Sequence, residues 1–196
     1  VLSALLLAEA LNGLAVTCES ESPARAREYY QRALALFRRT GDVRGQVHCH
    51  TNLGIVAQRE SRMDVASESL TMAISLARAA RMPDVWGVAA LNYGIMSQKL
   101  GDLERASQLF GEALSLFAKV KNSESQLFGL FNMAHVEREL EEYASSMELY
   151  EATASLAHRI GQSDVEIGAR AGEGLCLLAV GRLDEARKPL AEAESR

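Results

Sequence analysis

Cysteine is scarce in this chain. Of its 196 residues only three are cysteine, Cys18, Cys49 and Cys176. Their odd number and wide spread exclude a disulfide framework or a paired-cysteine metal site, and a reducing, cytoplasmic compartment fits them best. A basic surplus is missing as well. The formal net charge of -5 and a pI near 5.5 argue against direct contact with nucleic acid or an anionic membrane surface, both of which are met by clustered Lys and Arg. Arg25, Arg32 and Arg39, seven apart on one helix face near Glu21 and Glu28, form a local exception that reads as a solvated outer face. The apolar opening VLSALLLAEALNGLAV carries Glu9 and Asn12 and lacks a basic start. It is neither a signal peptide nor long enough to span a bilayer, which takes about 20 residues.

Chemistry is equally sparse. No glycine-rich phosphate loop, GxSxG elbow or HExxH occurs, and Gly172-Glu173-Gly174 lies mid-helix, outside the strand-turn-helix context such loops need. His48-Cys49-His50 offers ligand types, but residues one or two apart on a helix point in different directions and no second cluster follows, so no metal is expected. His135 beside Glu139 could exchange a proton, yet a lone pair at this spacing is usually a surface or ligand contact. These absences leave a non-catalytic protein without a cofactor. The chain opens on Val1 and its last segment stops mid-pattern, which reads as a piece of a longer protein.

What is present is a repeat. Apolar residues make up 48% and charged ones 24%, and a shift of 40 aligns the chain with itself. Small residues return at Ala26, Ala66, Ala106, Ser146 and Ala186, and large ones four later at Tyr30, Leu70, Phe110, Tyr150 and Leu190. Ala33, Ala73, Ala113 and Thr153 continue this into one helical stripe. Strand-type alternation does not appear. Breaks near 21, 61, 101, 141 and 181 divide each unit into two helices, predicted at 4–20, 23–40, 43–60, 64–81, 84–100, 103–121, 124–140, 143–160, 164–180 and 183–195. Ser22 before Pro23 is an expected N-cap, Ser123 with Gln126 and Ser163 with Glu166 are expected capping boxes, and Pro83 starts a helix. Pro189, well inside a helix, predicts a kink or early fraying.

Five hairpins of constant length cannot each bury an apolar face alone, so they should stack into an all-α solenoid. Leu53-Gly54, Tyr93-Gly94 and Met133-Ala134 in the first helices, the turn GDLERA from Gly101 to Ala106, and Ala106, Phe110 and Ala113 in a second helix resemble the tetratricopeptide repeat pattern. The resemblance covers essentially the whole chain. It departs at the family's usual tryptophan, replaced by Ala10, His50, Ala90, Leu130 and Arg170. The long units are similar to those of kinesin light chain, bacterial peptide-pheromone receptors and maltose-activator-type regulators. The resemblance implies a right-handed αα superhelix, a single domain over 1–196 with repeats at about 4–42, 43–82, 83–122, 123–162 and 163–196, and a concave groove lined by the first helix of each unit.

At 100° per residue, Val88, Leu91, Asn92, Ile95, Gln98 and Lys99 share one side of the fifth helix, while Gly87, Ala90, Tyr93, Gly94 and Ser97 share the other. The small residues mark the second side as the packing face. His48, Thr51, Asn52, Ile55, Gln58 and Arg59 then line the free face of the third helix, and Phe128, Phe131, Asn132, His135, Arg138 and Glu139 that of the seventh. Asn12, Asn52, Asn92 and Asn132 keep strict register on it, although asparagine is a poor helix former. An amide offers donor and acceptor together and so matches a peptide backbone.

Such a ladder would hold an extended segment, with Leu91, Ile95, Phe128 and Phe131 reading apolar side chains and Arg59, Lys99 and Arg138 reading charge. The opposing account has each asparagine bonding a neighbouring repeat, or copied by duplication. Three functions follow: a scaffold for a peptide or partner protein segment; the sensing arm of a larger bacterial regulator with an attached NTPase or DNA-binding domain; or a homodimer through the solenoid ends.

Overall fold

The computed structural model describes residues 2–194. They form ten helices: α1 (Leu2–Cys18), α2 (Pro23–Thr40), α3 (Val43–Arg59), α4 (Met63–Ala79), α5 (Pro83–Lys99), α6 (Leu103–Val120), α7 (Ser123–Glu139), α8 (Tyr143–Ile160), α9 (Ser163–Ala179) and α10 (Leu183–Glu194). No strand occurs among the described residues. The sequence places the helix ends within two residues of these, apart from the expected last position of the tenth, 195, which lies outside the described residues.

The turns explain the regularity. Each helix from α2 to α9 is followed by one residue of left-handed backbone, at Gly41, Ser61, Arg81, Gly101, Lys121, Glu141, Gly161 and Gly181. The spacing is twenty. At each turn the next amide reaches back to the helix just ended: Asp42 N donates to Phe37 O at 3.0 Å, Asp102 N to Ser97 O at 3.0 Å, Asn122 N to Phe117 O at 3.1 Å and Arg182 N to Leu177 O at 2.9 Å. This six-to-one bond is the Schellman closure, which satisfies a carbonyl that the helix end would otherwise leave unpaired. The acceptor of the following helix's first bond is the same residue, as when Gln46 N donates to Asp42 O. One short motif therefore ends a helix and starts the next.

Only four of the eight left-handed residues are glycine, and a side chain there costs roughly 1–2 kcal/mol. Lys121 (φ 55°) is exposed. Lys121→Gly is expected to stabilise unit 2 by about 1 kcal/mol, read as a higher urea midpoint at unchanged slope. Gly101→Ala, where an added Cβ meets nothing within 4 Å, should lower the midpoint by a similar amount through backbone strain alone.

Two cap expectations are corrected. Asn122, not Ser123, caps α7, its side chain accepting from Ser125 N at 3.0 Å. Gln162 rather than Ser163 precedes α9 and makes no side-chain cap bond. Glu166 is turned away to His158, 3.4 Å from its Nδ1. Ser22 does precede α2, but its side chain makes no cap bond; Pro23 at the first helical position starts the helix instead. α10 continues through Pro189, whose ring is buried.

The chain divides into two units, Val1–Tyr93 and Gly94–Arg196. In the first, Ala33, Leu34 and Phe37 of α2 meet Ala8, Leu11 and Cys49, while Ala26 and Tyr30 meet Ala15 and Val56. The second unit buries Tyr150 and Ala154 against Ala134, Ala169 and Cys176. Close approach inside a hairpin is bought with missing side chains. A Cβ on Gly54 would lie 2.7 Å from Leu70, one on Gly94 2.5 Å from Phe110 and one on Gly174 2.6 Å from Leu190. All three pairs are sixteen residues apart.

Candidate functional site

The predicted division of the first helices holds in most places. On α5, Gly87, Ala90, Tyr93, Gly94 and Ser97 are buried, whereas Val88, Leu91, Asn92, Ile95 and Gln98 are half-buried and Lys99 is exposed. On α3, His48 and Arg59 are exposed and Asn52, Ile55 and Gln58 half-buried. Thr51 is a correction: it is 4% exposed and its hydroxyl donates to Val47 O at 3.0 Å, so it belongs to the packed side.

The asparagines do not share one environment. Asn92 Nδ2 donates to Val88 O at 2.8 Å and Asn132 Nδ2 to Phe128 O at 2.7 Å. Each amide thus returns its donor to the previous turn of its own helix, a local bond that competes with the helical ladder. The carbonyl oxygen and the second amide hydrogen remain for a ligand. Asn12 behaves differently, its Oδ1 lying 3.9 Å from the thiol of Cys49 on α3. That is a contact between repeats, and burial pushes the Cys49 thiol up to about 12, so it stays protonated as the donor.

Within unit 1, α1 and α3 flank a cleft of about 260 Å³ bordered by Asn12, Glu9, Arg44 and His48. Arg44 bonds Asp84 and Arg59 lies 3.1 Å from Glu19, so these cations already have carboxylate partners. His48 and His50 diverge as helix geometry requires: His48 is exposed, while His50 is buried 3.3 Å from the Arg38 guanidinium.

Within unit 2, Phe128 on α7 is 47% exposed. Phe131 is not, because it joins the core around Tyr150, stands edge-on to His135 at 4.6 Å between ring centres and fills the space beside Gly168. His135 Nδ1 sits 3.2 Å from the Tyr150 hydroxyl rather than pairing with Glu139, which accepts from Gln98 Nε2 at 2.8 Å. Arg138 stands near the Tyr150 hydroxyl, which raises the guanidinium's pKa. Phe131, His135 and Arg138 thus gather near Tyr150 and, like Asn132 and Ile95, are half-buried, while Phe128 and Lys99 are exposed.

Burial first, and then the neighbouring arginines, hold His50 and His135 below the usual histidine range. With a depressed folded value, the unfolded chain takes up protons first as pH falls below about 6.5. The stability these neutral rings permit is present above that pH and lost below it. Thermal midpoints should fall between about pH 7.5 and about pH 5.5, and the fall should shrink in His50→Gln/His135→Gln.

The family profile for tetratricopeptide repeats matches residues 6–79. No curated protein matches the chain. Among solved structures, the nearly identical repeats from a kinesin light chain of Podosopora anserina superpose with a TM-score of 0.79 at 15% identity, covering 98% of this chain and 95% of that one. A signal-transduction ATPase of Pyrococcus horikoshii with a tetratricopeptide sensor gives 0.83 at 18% identity over 96% of this chain and 30% of that one. A Rap protein complexed with competence and sporulation factor gives 0.80 at 21% identity over 97% and 56%. Residues 6–79 match the tetratricopeptide repeat family, and the ten helices of the described residues take the tetratricopeptide-like fold of these structures.

Proposed function

We propose that this chain is a non-catalytic interaction scaffold in which each unit holds an extended peptide segment of a partner on its own asparagine-bearing helix face. The observation that carries this reading is the shared pose of Asn92 and Asn132. In both, one Nδ2 hydrogen bonds the carbonyl four residues back, and Oδ1 with the second Nδ2 hydrogen is left to meet the N–H and C=O of a bound strand. Ile55 and Leu91 in unit 1 and Ile95 in unit 2 are half-buried, and Phe128 in unit 2 is exposed, supplying apolar contacts within each unit. Asn52 and His48 extend the face along α3, and Lys99 offers a cation for an acidic residue.

The fold likeness to a Rap protein in complex with a signalling factor supports peptide as the ligand class. A second reading, that the chain is the sensing arm of a larger regulator, draws on the sensor placement of the same fold in the Pyrococcus ATPase. Selection of random ten-residue peptides on the immobilised protein tests the first reading. It expects enriched sequences with apolar residues and no proline at the bonded positions, because proline has no N–H to donate. Failure to enrich any peptide would sink it.

A further inference from the structure

The third and fourth repeats differ in how one register position is filled. In unit 1, Trp86 on α5 packs on the cluster of Ala73, Ala77, Val85 and Ala89, and the guanidinium carbon of Arg78 lies 4.8 Å from its ring centre. Forty residues later these two positions are Ala118 and Gln126. Large has become small at one and aromatic has become flexible at the other. In that place unit 2 has a cleft of about 620 Å³ between α6, α7 and α8. Its apolar walls are Leu114, Ala118, Leu130 and Leu156, and Ser123, Gln126, Ser155 and Arg159 stand at its polar parts. None of these belongs to the asparagine face, so the cleft is independent of the scaffold reading above.

We propose that this cleft receives the side chain of a tryptophan from a partner peptide, which takes in the fourth repeat the place that the chain's own Trp86 takes in the third. The volume lies within the roughly 300–1,000 Å³ of ordinary ligand sites and accommodates an indole with some flanking backbone. An indole brings about 200 Å² of ring surface to cover the apolar walls and one N–H that needs an acceptor. The serine hydroxyls and the Gln126 amide oxygen provide acceptors. Arg159 provides a cation at the edge of the cleft, as Arg78 does over Trp86, and a guanidinium over an indole face is favourable.

The full chain, labelled with nitrogen-15, is titrated with N-acetyltryptophanamide and with a five-residue Gly/Ser peptide containing one tryptophan. Saturable amide shifts are expected around Ala118, Gln126 and Ser155, with a Kd of about 1 mM or tighter and the peptide at least as tight as the amide. Ala118→Arg/Gln126→Trp, which rebuilds the internal pair, should remove them. Ser155→Trp, at an exposed position, serves as a second blocking variant should the double substitution disturb folding, and it should weaken binding at least about ten-fold. Shifts that do not saturate, or that persist in a folded blocking variant, overturn the proposal. Binding of N-acetyltryptophanamide without binding of the peptide also overturns it, because the occupant is then a small molecule.

Discussion

Phe110→Ala is expected to destabilise the protein by about 4 kcal/mol, and in that background Gly94→Ala is expected to change sign. Phe110 is fully buried, with its ring against the backbone of α5 at Gly94. Removing the ring loses its transfer free energy and leaves a void beside a residue with no side chain to fill it. In the wild type, Gly94→Ala drives a methyl to 2.5 Å from the Phe110 ring, which costs about 2 kcal/mol in displaced packing. Once Phe110 is alanine, the same methyl enters empty space and gains the roughly 1 kcal/mol by which alanine exceeds glycine in a helix. Urea unfolding of the four proteins of this cycle measures the coupling directly. A Gly94→Ala that is equally harmful in both backgrounds would show that the glycine is required for some reason other than contact with the ring.

Asn52→Ala/Asn92→Ala/Asn132→Ala is expected to weaken a selected peptide about 100-fold while leaving the protein as stable as before or more so. Three lost bonds at roughly 1 kcal/mol each give about 3 kcal/mol of binding. Stability moves the other way, since alanine is the better helix former at each position and the back-bonds to Val88 and Phe128 carbonyls are local contacts that helical hydrogen bonds can do without. Opposite signs in the two measurements separate a ligand role from a structural one. Peptide affinity within two-fold of wild type would reject the amide face, and a loss of stability would assign the asparagines to the fold.

Much of this was legible in the residues. The period of 40 is carried by small and large side chains at fixed offsets, and hairpins that share a packing face must repeat them, so helix number, ends and buried stripe follow from the text of the chain. The twenty-residue turn was harder to see. Only Gly41, Gly101, Gly161 and Gly181 announce a left-handed residue, whereas Ser61, Arg81, Lys121 and Glu141 adopt the same backbone because the six-to-one bond after them repays the strain.

The face differs from its sequence pattern at Thr51, which lies near the boundary of the arc, where a rotation of a few tens of degrees decides burial, and whose hydroxyl is satisfied locally. Phe131, His135 and Arg138 are half-buried on the expected side of α7, with Tyr150 from α8 beside them, and no spacing within one helix reveals that partner. The cleft between α6, α7 and α8 is not legible in the residues, because it opens where Ala118, Ala152 and Ser155 stand among larger side chains, and small residues in a helix usually signal close packing rather than space.

The common closure at all eight junctions has a consequence for how such a chain can grow. A cut at any left-handed residue leaves the same two ends, whichever pair of helices it separates. A forty-residue cassette copied between Gly41 and Arg81 could be pasted at position 121 with no new linker, and its helices would meet their neighbours in phase. Lengthening the array is then a matter of which side chains the copied surfaces show each other, with the backbone joints already interchangeable.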